Sequence, residues 1–147
     1  MPESAKRNDP YASFNFIVSI GAMKAGFSEV GGLSSETTIV EYRNGDYDIT
    51  PTKQPGQVKY ANISMKRGYT DHLGLWEWRK QVMDGKTERR DGTITLLNEA
   101  RNPALVWTFH EGWPSKWAGP AFNAKNNDVA IEELEISVEG LTVEKVG

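Results

Sequence analysis

The chain has 147 residues, of which 38% are hydrophobic and 25% are charged, and its formal net charge is −3. This composition is typical of a folded protein, and the length favours a single domain over residues 1–147. The absence of cysteine excludes a disulfide framework and a thiolate zinc site, and the mildly acidic charge is not that of a nucleic-acid binder.

The N-terminal segment, residues 1–13, is polar and contains Pro2 and Pro10, which is typical of an arm that becomes ordered on contact with a neighbour. It lacks the apolar core of a secretory signal, so we expect synthesis in the cytoplasm without a signal peptide. No apolar run approaches the roughly 20 residues that span a bilayer, so we expect no membrane anchor.

Three strands are predicted in the first third of the chain. Between Phe14 and Ile20 the large apolar residues alternate with other side chains, which is the period of a β-strand. Phe27–Val30 and Leu33–Tyr42 follow as further β-favouring runs. Residues 43–57 are polar, and a connection of more than about 12 residues is usually functional. We therefore predict a long inter-strand loop over residues 43–57.

The middle of the chain contains a fourth strand and a helix. The strand covers residues 58–66, and a change in the parity of its apolar residues near Ala61–Asn62 predicts a β-bulge. Thr70 or Asp71 is a suitable N-cap for the helix, and Gly85 marks its end. Large residues on more than one side predict that this helix is buried on two faces.

The last third returns to β-structure. Residues 93–98 and 105–109 predict a hairpin, and residues 129–138 predict a final strand. The aromatic segment over residues 113–120 is predicted to be irregular. One helix and about seven strands favour a mainly β fold, an antiparallel barrel or sandwich with a flanking helix.

The sequence contains no recognisable catalytic, cofactor-binding or metal-binding constellation. His72 and His110 have no neighbours at ligand spacing. Gly31–Gly32 precedes a β-favouring run rather than the helix that a phosphate loop needs. We therefore predict no cofactor and no enzymatic activity.

Glu133 and Glu135 share one face of the final predicted strand, opposite Leu134. Two carboxylates can serve an acid–base enzyme, but that role needs a pKa raised by burial, and no apolar residue is interleaved on this face. A solvated sheet face is the simpler interpretation. In a closed tube this face would line an acidic, water-filled bore, so we predict that both side chains face the bore or solvent.

Seven segments of the sequence, taken in order, resemble the tail tube proteins of contractile-tailed phages, especially the inner-tube subunits of extracellular contractile injection systems. Each motif is weak alone, whereas the ordered series is specific and extends from about Asp9 to Val143. The segments are DPYASFNF (9–16), AGFSEVGGL (25–33), VEYRNG (40–45), KRGYTD (66–71), LWEW (75–78), WPSKWAGP (113–120) and AIEELEISVEG (130–140).

This resemblance implies a tail-tube-like fold and a structural subunit that forms hexameric rings, stacked into a hollow tube inside a contractile sheath. The implied partners are further copies of the chain, the sheath protein, baseplate proteins, tube initiator and terminator proteins, and effector cargo in the bore. The particle would be a virion or an injection particle, and neither catalysis nor specific nucleic-acid binding is implied. The N-terminal arm and the segment 113–120 are expected to contribute to subunit contacts.

The predicted loop over residues 43–57 fits an element that reaches the next ring of such a stack. Because this loop is long and polar, we predict that contacts between rings involve the end of the preceding strand and the start of the loop. The candidate residues are Tyr42, Arg43, Asp46 and Tyr47.

Three other functions remain open from the sequence. The first is a small-molecule-binding β-barrel with an apolar interior. The second is a carboxylate-dependent enzyme that uses the acidic strand. The third is a tube-like ring protein of another secretion machine, which sequence alone separates poorly from an inner-tube subunit.

Overall fold

The computed structural model describes residues 15–21, 23–43, 45, 50–125 and 129–146, so the predicted arm over residues 1–13 lies outside the described residues. This part of the chain forms ten strands and one helix. In chain order they are β1 (Phe16–Ile20), β2 (Met23–Ala25), β3 (Glu29–Gly31), β4 (Ser35–Tyr42), β5 (Thr52–Tyr60), β6 (Ile63–Gly68), α1 (Gly74–Met83), β7 (Arg90–Leu97), β8 (Pro103–Ala118), β9 (Ile131–Ser137) and β10 (Gly140–Lys145).

Two antiparallel layers are joined by the long strand β8. Its first half pairs with β7 and β10 and completes sheet I, in the order β2-β1-β7-β8-β10. Its second half pairs with β9 and completes sheet II, in the order β8-β9-β6-β3. The path from β2 to β3 does not close on itself within the described residues, so the mainly β fold is a sandwich rather than a barrel.

The bend that carries β8 from one layer to the other lies at Glu111 and Gly112. Glu111 has a φ of 54°, a left-handed conformation that is uncommon for a residue with a side chain. Its backbone N–H donates to Asp91 Oδ1 at 2.9 Å, which holds this conformation. A Cβ on Gly112 would lie 2.7 Å from Phe109 Cε1, so glycine lets the Phe109 ring pack against the bend.

The hydrophobic core lies between the two sheets and is formed by the inward side chains of alternating strand residues. Its most buried strand residues, each at most 4% exposed, are Val18, Ile20, Ile94 and Phe109 from sheet I and Ile63, Met65, Leu134 and Ile136 from sheet II. Burying one large apolar side chain contributes about 1.5–3 kcal/mol, so this contact holds the layers together.

Helix α1 closes the core through Leu75 and Trp78, which are both fully buried. Trp76 is only half-buried and Met83 is exposed, so within the subunit the helix has one dominant buried face rather than the two that were predicted. The Trp78 indole Nε1 donates to the Glu88 carbonyl at 2.8 Å, which satisfies the polar atom of this buried ring. Within the described residues, no helix combines the length and apolar character needed to cross a membrane.

The start of α1 differs from the prediction. The N-cap is Leu73, without a side-chain hydrogen bond, so the predicted cap at Thr70 or Asp71 is wrong. Thr70 Oγ1 instead accepts the His72 backbone N–H at 3.2 Å and shapes the turn before the helix. Gly85 follows the helix with a φ of 80°, as expected for a residue at a helix C-terminus.

Two predicted features between β4 and β6 are also corrected. The loop predicted over residues 43–57 is shorter, because β5 begins at Thr52. Ala61–Asn62 is not a bulge within one strand but the connection between β5 and β6. The change in parity of the apolar residues therefore marks the junction of two strands with different environments.

The aromatic segment over residues 113–120 is strand rather than irregular structure, because β8 continues to Ala118. Pro114 is tolerated at a shift of register between Pro114 and Lys116, where the Ser115 hydroxyl donates to the Glu135 carbonyl at 3.2 Å. On the helix side, Arg79 Nη1 donates to the Pro114 carbonyl at 3.2 Å. The prediction also missed β10, a short strand that adds to the edge of sheet I.

Candidate assembly surface

The β4–β5 hairpin forms a two-stranded sheet that belongs to neither layer of the sandwich, and we call it the ribbon. Every residue of β4 is exposed, and so is every residue of β5 except Tyr60. Ile39 and Val58, 61% and 56% exposed, share one face of the ribbon. An isolated two-stranded hairpin is only marginally stable, so an exposed ribbon with apolar side chains indicates a contact surface.

The ribbon continues the ladder between β3 and β6 of sheet II. In that ladder Gly31 is opposite Ser64, and after a short interruption Ser35 is opposite Tyr60 in the same register. Both ladders are antiparallel, so the two strands of the ribbon leave the sandwich in the direction set by sheet II.

The two connections at the base of the ribbon are held side by side. The Ala61 backbone N–H donates to the Ser34 carbonyl at 3.2 Å. Gly32 has a φ of 86°, and a Cβ there would lie 2.1 Å from the Asn62 carbonyl oxygen. This approach excludes any other residue at position 32, and it fixes the ribbon as an extension of sheet II.

The residues predicted for contacts between rings fall at the far end of the ribbon. Tyr42 is the last residue of β4 and is 47% exposed, on the ribbon face opposite Ile39. Arg43 follows it and is also exposed. Asp46 and Tyr47 lie outside the described residues.

Glu133 and Glu135 lie on the outer face of sheet II, away from the core residue Leu134 between them. Both are intermediate in exposure, and each accepts a hydrogen bond from a neighbouring side chain. Ser64 Oγ donates to Glu133 Oε1 at 3.4 Å, and Asn62 Nδ2 donates to Glu135 Oε1 at 3.1 Å.

Lysines oppose both carboxylates across the sheet. Lys66 of β6 is opposite Glu133, and Lys116 of β8 is opposite Glu135. Directly opposite side chains in an antiparallel pair are neighbours on one face, with Cβ atoms about 4.5–5.5 Å apart. The outer face of sheet II is therefore mixed in charge rather than purely acidic.

A buried charge cluster lies on the opposite, inner side of sheet II, and sequence reasoning missed it. Arg67 and Glu132 form an ion pair between β6 and β9 and are 7% and 3% exposed. Trp117 Nε1 donates to Glu132 Oε2 at 3.0 Å, and Arg67 Nη2 donates to the His72 carbonyl at 2.9 Å. The alternation of residues along the strand could have identified Glu132 as buried, because it lies on the same face as Leu134.

An open groove of about 900 Å³ lies beside the bend of β8, lined in part by Met23, His72, Asp91 and Glu111. The hydrogen bond from the Glu111 backbone, and then that from the His110 side chain, hold the pKa of Asp91 below its ordinary value of 3.8. Among the residues that the structure describes, no three His, Cys, Asp or Glu side chains converge as a metal site. The carboxylate-dependent enzyme thus gains no support from this groove.

The small-molecule-binding barrel gains no support from the space between the sheets in the described part of the chain. The space between the sheets is filled by Trp78 and Phe109, both fully buried, together with the aliphatic core. Among the described residues, the most exposed large apolar side chains are Phe122 and Val129, at 87% and 74%, followed by Ile39 and Val58 of the ribbon.

Comparisons with known proteins find one matching family model and several similar structures. Residues 12–142 match the family model of the T4-like virus tail tube protein gp19. A structure described as the PVC sheath-tube complex of an extracellular contractile injection system, in the extended state, is 29% identical with a TM-score of 0.86. That match covers 95% of this chain and 94% of the other.

Two further structures extend the similarity. A chain in the structure described as the anti-feeding prophage cap (AFP tube terminating cap) is 25% identical with a TM-score of 0.87, and the match covers 99% of this chain and 100% of the other. Hcp1 from Flavobacterium johnsoniae shares the fold at 16% identity, with a TM-score of 0.59 and coverage of 88% and 94%. No curated protein matches the sequence.

The match to the family model covers most of the chain, and it includes the ribbon, the helix and both sheets. The structural similarity extends over nearly the whole length of both chains in the tube and cap structures. The resemblance and the tail-tube-like, mainly β fold predicted from the sequence are confirmed. The chain therefore belongs to the family of the T4-like virus tail tube protein gp19 and is a structural subunit of a tube.

Proposed function

We propose that this chain is the inner-tube subunit of a phage-tail-like contractile injection system, in which hexameric rings stack into a hollow tube that delivers cargo. The observation that carries the proposal is the ribbon, whose two strands are exposed on both faces and reach beyond the sandwich. The match to the sheath-tube complex supports a contractile system rather than another use of the fold.

The placement of the ribbon on one side of the subunit supports the formation of rings. A ribbon that lies on a neighbour makes a head-to-tail contact, and such a contact closes into a ring when the rotation between subunits allows it. The contact would bury Ile39 and Val58 and complete a hairpin that is marginal alone. Within the described residues, one edge of β10 has no paired strand, and assembly would protect this edge.

Contacts between stacked rings are assigned to the far end of the ribbon, to Tyr42, Arg43, Asp46 and Tyr47. Tyr42 and Arg43 are exposed beside the connection between β4 and β5, where a partner above or below the ring would meet them. Tyrosine and arginine are enriched at protein interfaces because each combines a large contact area with hydrogen-bond donors.

The proposed role as an inner-tube subunit also implies partners other than further copies of the chain. The tube would be surrounded by a contractile sheath protein and would begin and end at baseplate, initiator and terminator proteins. We propose synthesis in the cytoplasm, assembly into a virion or an injection particle, and no membrane anchor. The subunit would act without a cofactor and without catalysis, as a wall around effector cargo.

The far end of the ribbon can be tested in the purified protein by electron microscopy and sedimentation velocity. The double substitution Tyr42→Ala with Arg43→Ala should shift the assembled population from tubes toward single rings, because it removes contacts between rings and leaves those within a ring. A matched double substitution at exposed loop residues, Glu99→Ala with Lys125→Ala, should leave the distribution unchanged. Unchanged tube length and yield in the first variant would remove these residues from the contact between rings.

A further inference from the structure

The outer faces of the two sheets differ in chemistry. On sheet I a row of hydroxyl side chains crosses the strands, with Ser19 opposite Thr93, Thr93 opposite Thr108 and Thr108 opposite Thr142. On sheet II the corresponding rows consist mainly of charged side chains. If the subunit is a tube wall, one of these faces is the lining of the bore.

The charges on the outer face of sheet II alternate in sign across the strands. In one row Glu29, Lys66 and Glu133 stand side by side on β3, β6 and β9. Lys66 Nζ lies 3.7 Å from Glu29 Oε2, so the lysine is held between two carboxylates. In the next row Glu135 stands between Ser64 and Lys116.

The ribbon identifies sheet II as the layer that extends toward neighbouring subunits. Its ladder resumes the β3–β6 register, so the wall of sheet II continues beyond the sandwich. Sheet I has no comparable extension in the described chain, where it ends at the three-residue strand β2 and at β10. In the proposed ring, the layer that continues from subunit to subunit would form the closed inner wall, with its outer face toward the axis.

We propose, building on the function assigned above, that the outer face of sheet II lines the bore and that its charges are compensated across the strands, so that the lining passes a polypeptide of mixed charge and does not retain nucleic acid. Glu133 and Glu135 then face the bore, and the hydroxyl row of sheet I lies on the outside of this wall.

The balance of charge is the reason for assigning a polypeptide, rather than a retained nucleic acid, to this bore. Three carboxylates face two lysines in these rows, and every lysine stands beside a carboxylate. Retention of nucleic acid needs a surplus of Lys or Arg that displaces counterions from phosphates, and this face has none. In these rows, pairing also leaves few free charges that would hold a passing polypeptide.

The assignment of the lining can be tested by labelling, because the chain contains no native cysteine. Ser137→Cys places a thiol on the outer face of sheet II, and Lys116→Cys provides a second position on the same face if the first variant does not assemble. Thr95→Cys is the control on the outer face of sheet I. Assembled tubes are treated with a maleimide-linked gold cluster, and the radial position of the gold is measured by cryo-electron microscopy.

Gold inside the bore for the sheet II positions, and not for Thr95→Cys, is the result we expect. Gold on the outer wall for the sheet II positions and inside the bore for Thr95→Cys would overturn the proposal while leaving the tube itself established. Failure of every variant and of the unmodified protein to assemble would count instead against the proposed function.

The charge compensation is tested with a fluorescent single-stranded oligonucleotide present during assembly. Tubes of the unmodified protein should not retain it after sedimentation. Tubes that carry Glu133→Lys and Glu135→Lys should retain it, and the retention should fall as salt is raised, because phosphate contacts release counterions. The control variant carries Thr93→Lys and Thr95→Lys on the outer face of sheet I. Oligonucleotide bound by these tubes should lie on their outside and should be degraded by added nuclease. Nuclease-protected oligonucleotide in unmodified tubes would show a lining for nucleic acid and overturn the proposal.

Discussion

Arg67 and Glu132 form a buried ion pair that ties β6 to β9 at the inner side of sheet II. Trp117 donates a further hydrogen bond to Glu132, so the pair also joins the second half of β8. Its other end reaches α1, because Arg67 holds the His72 carbonyl just before the helix begins. One carboxylate therefore connects three strands and the start of the helix.

Glu132→Gln should destabilise the protein strongly. It leaves the Arg67 charge buried without its counter-charge, and breaking a buried pair in this way costs about 3–5 kcal/mol. The free energy of unfolding is measured by urea titration of unassembled protein. The control is Glu29→Gln, which removes the partner of Lys66 from a largely exposed pair and should cost about 0–1 kcal/mol. Equal losses of unfolding free energy in both variants would show that Glu132 does not stabilise the contact between these three strands and the start of α1.

Gly92→Ala should destabilise the sandwich through overpacking. A Cβ at this position would lie 2.4 Å from Phe109 Cζ and 2.9 Å from the Ser19 carbonyl, and both neighbours are fixed in sheet I. Forcing an extra carbon into a packed core typically costs about 1–3 kcal/mol. Gly26→Ala is the matched control, since nothing lies within 4 Å of its added Cβ. Thermal unfolding distinguishes the two, and a Gly92→Ala protein as stable as the control would contradict the packing described here.

Asp91→Ala should lower stability in a manner that depends on pH. The pKa of Asp91 is lowered in the folded protein, first by the Glu111 backbone hydrogen bond, so its contribution is fully present above the ordinary value of 3.8. The contribution is lost as the pH falls through the lower, folded-state pKa. The variant should therefore be less stable than the unmodified protein at neutral pH, and the difference should shrink in acid below 3.8.

Urea titrations at neutral pH and in acid measure this difference. Glu99→Ala, at an exposed carboxylate in the β7–β8 connection, is the control and should show little change at either pH. A deficit in Asp91→Ala that stays constant with pH would assign the effect to something other than the charge of Asp91.

Ile39→Asp should block assembly without unfolding the subunit. Ile39 is 61% exposed on the ribbon, so a charge there costs the free subunit little, within about 0.5 kcal/mol, whereas it would be buried in a ring contact. Sedimentation velocity measures assembly, and circular dichroism measures the fold. Ile17→Asp, at an exposed isoleucine on the outer face of sheet I, should assemble normally. Assembly of the Ile39→Asp protein into normal rings would exclude the ribbon from the contact.

The alternation of apolar and other residues correctly predicted the strands in which only one face is buried. β1 and β9 are examples, because Val18 and Ile20, or Leu134 and Ile136, alternate with less buried residues. Segments whose environment is set by distant parts of the chain were predicted less well. Pro114 suggested irregular structure, yet β8 passes through it because Arg79 of α1 and the bulge at Ser115 accommodate it.

The residues of the candidate assembly surface were also predicted only in part, because distant parts of the chain set their environment. The length and polarity of the segment after Tyr42 pointed to the ribbon, although Thr52 and the residues after it are strand rather than loop. The sequence did not single out Glu132, because its partner Arg67 is 65 residues away and no local pattern identifies that partner. The lysines opposite Glu133 and Glu135 depend on strand register, which a single sequence does not specify.

We predict that copies of this chain assemble into the wall of a tube. Electron microscopy of the purified protein over a range of concentrations, paired with sedimentation velocity, tests it most directly. We predict six-fold symmetric rings with a central opening, and stacks of such rings at higher concentration. A protein that remains a monomer at every concentration, in the presence of the other tail proteins of its particle as well as alone, would contradict its role as a tube subunit.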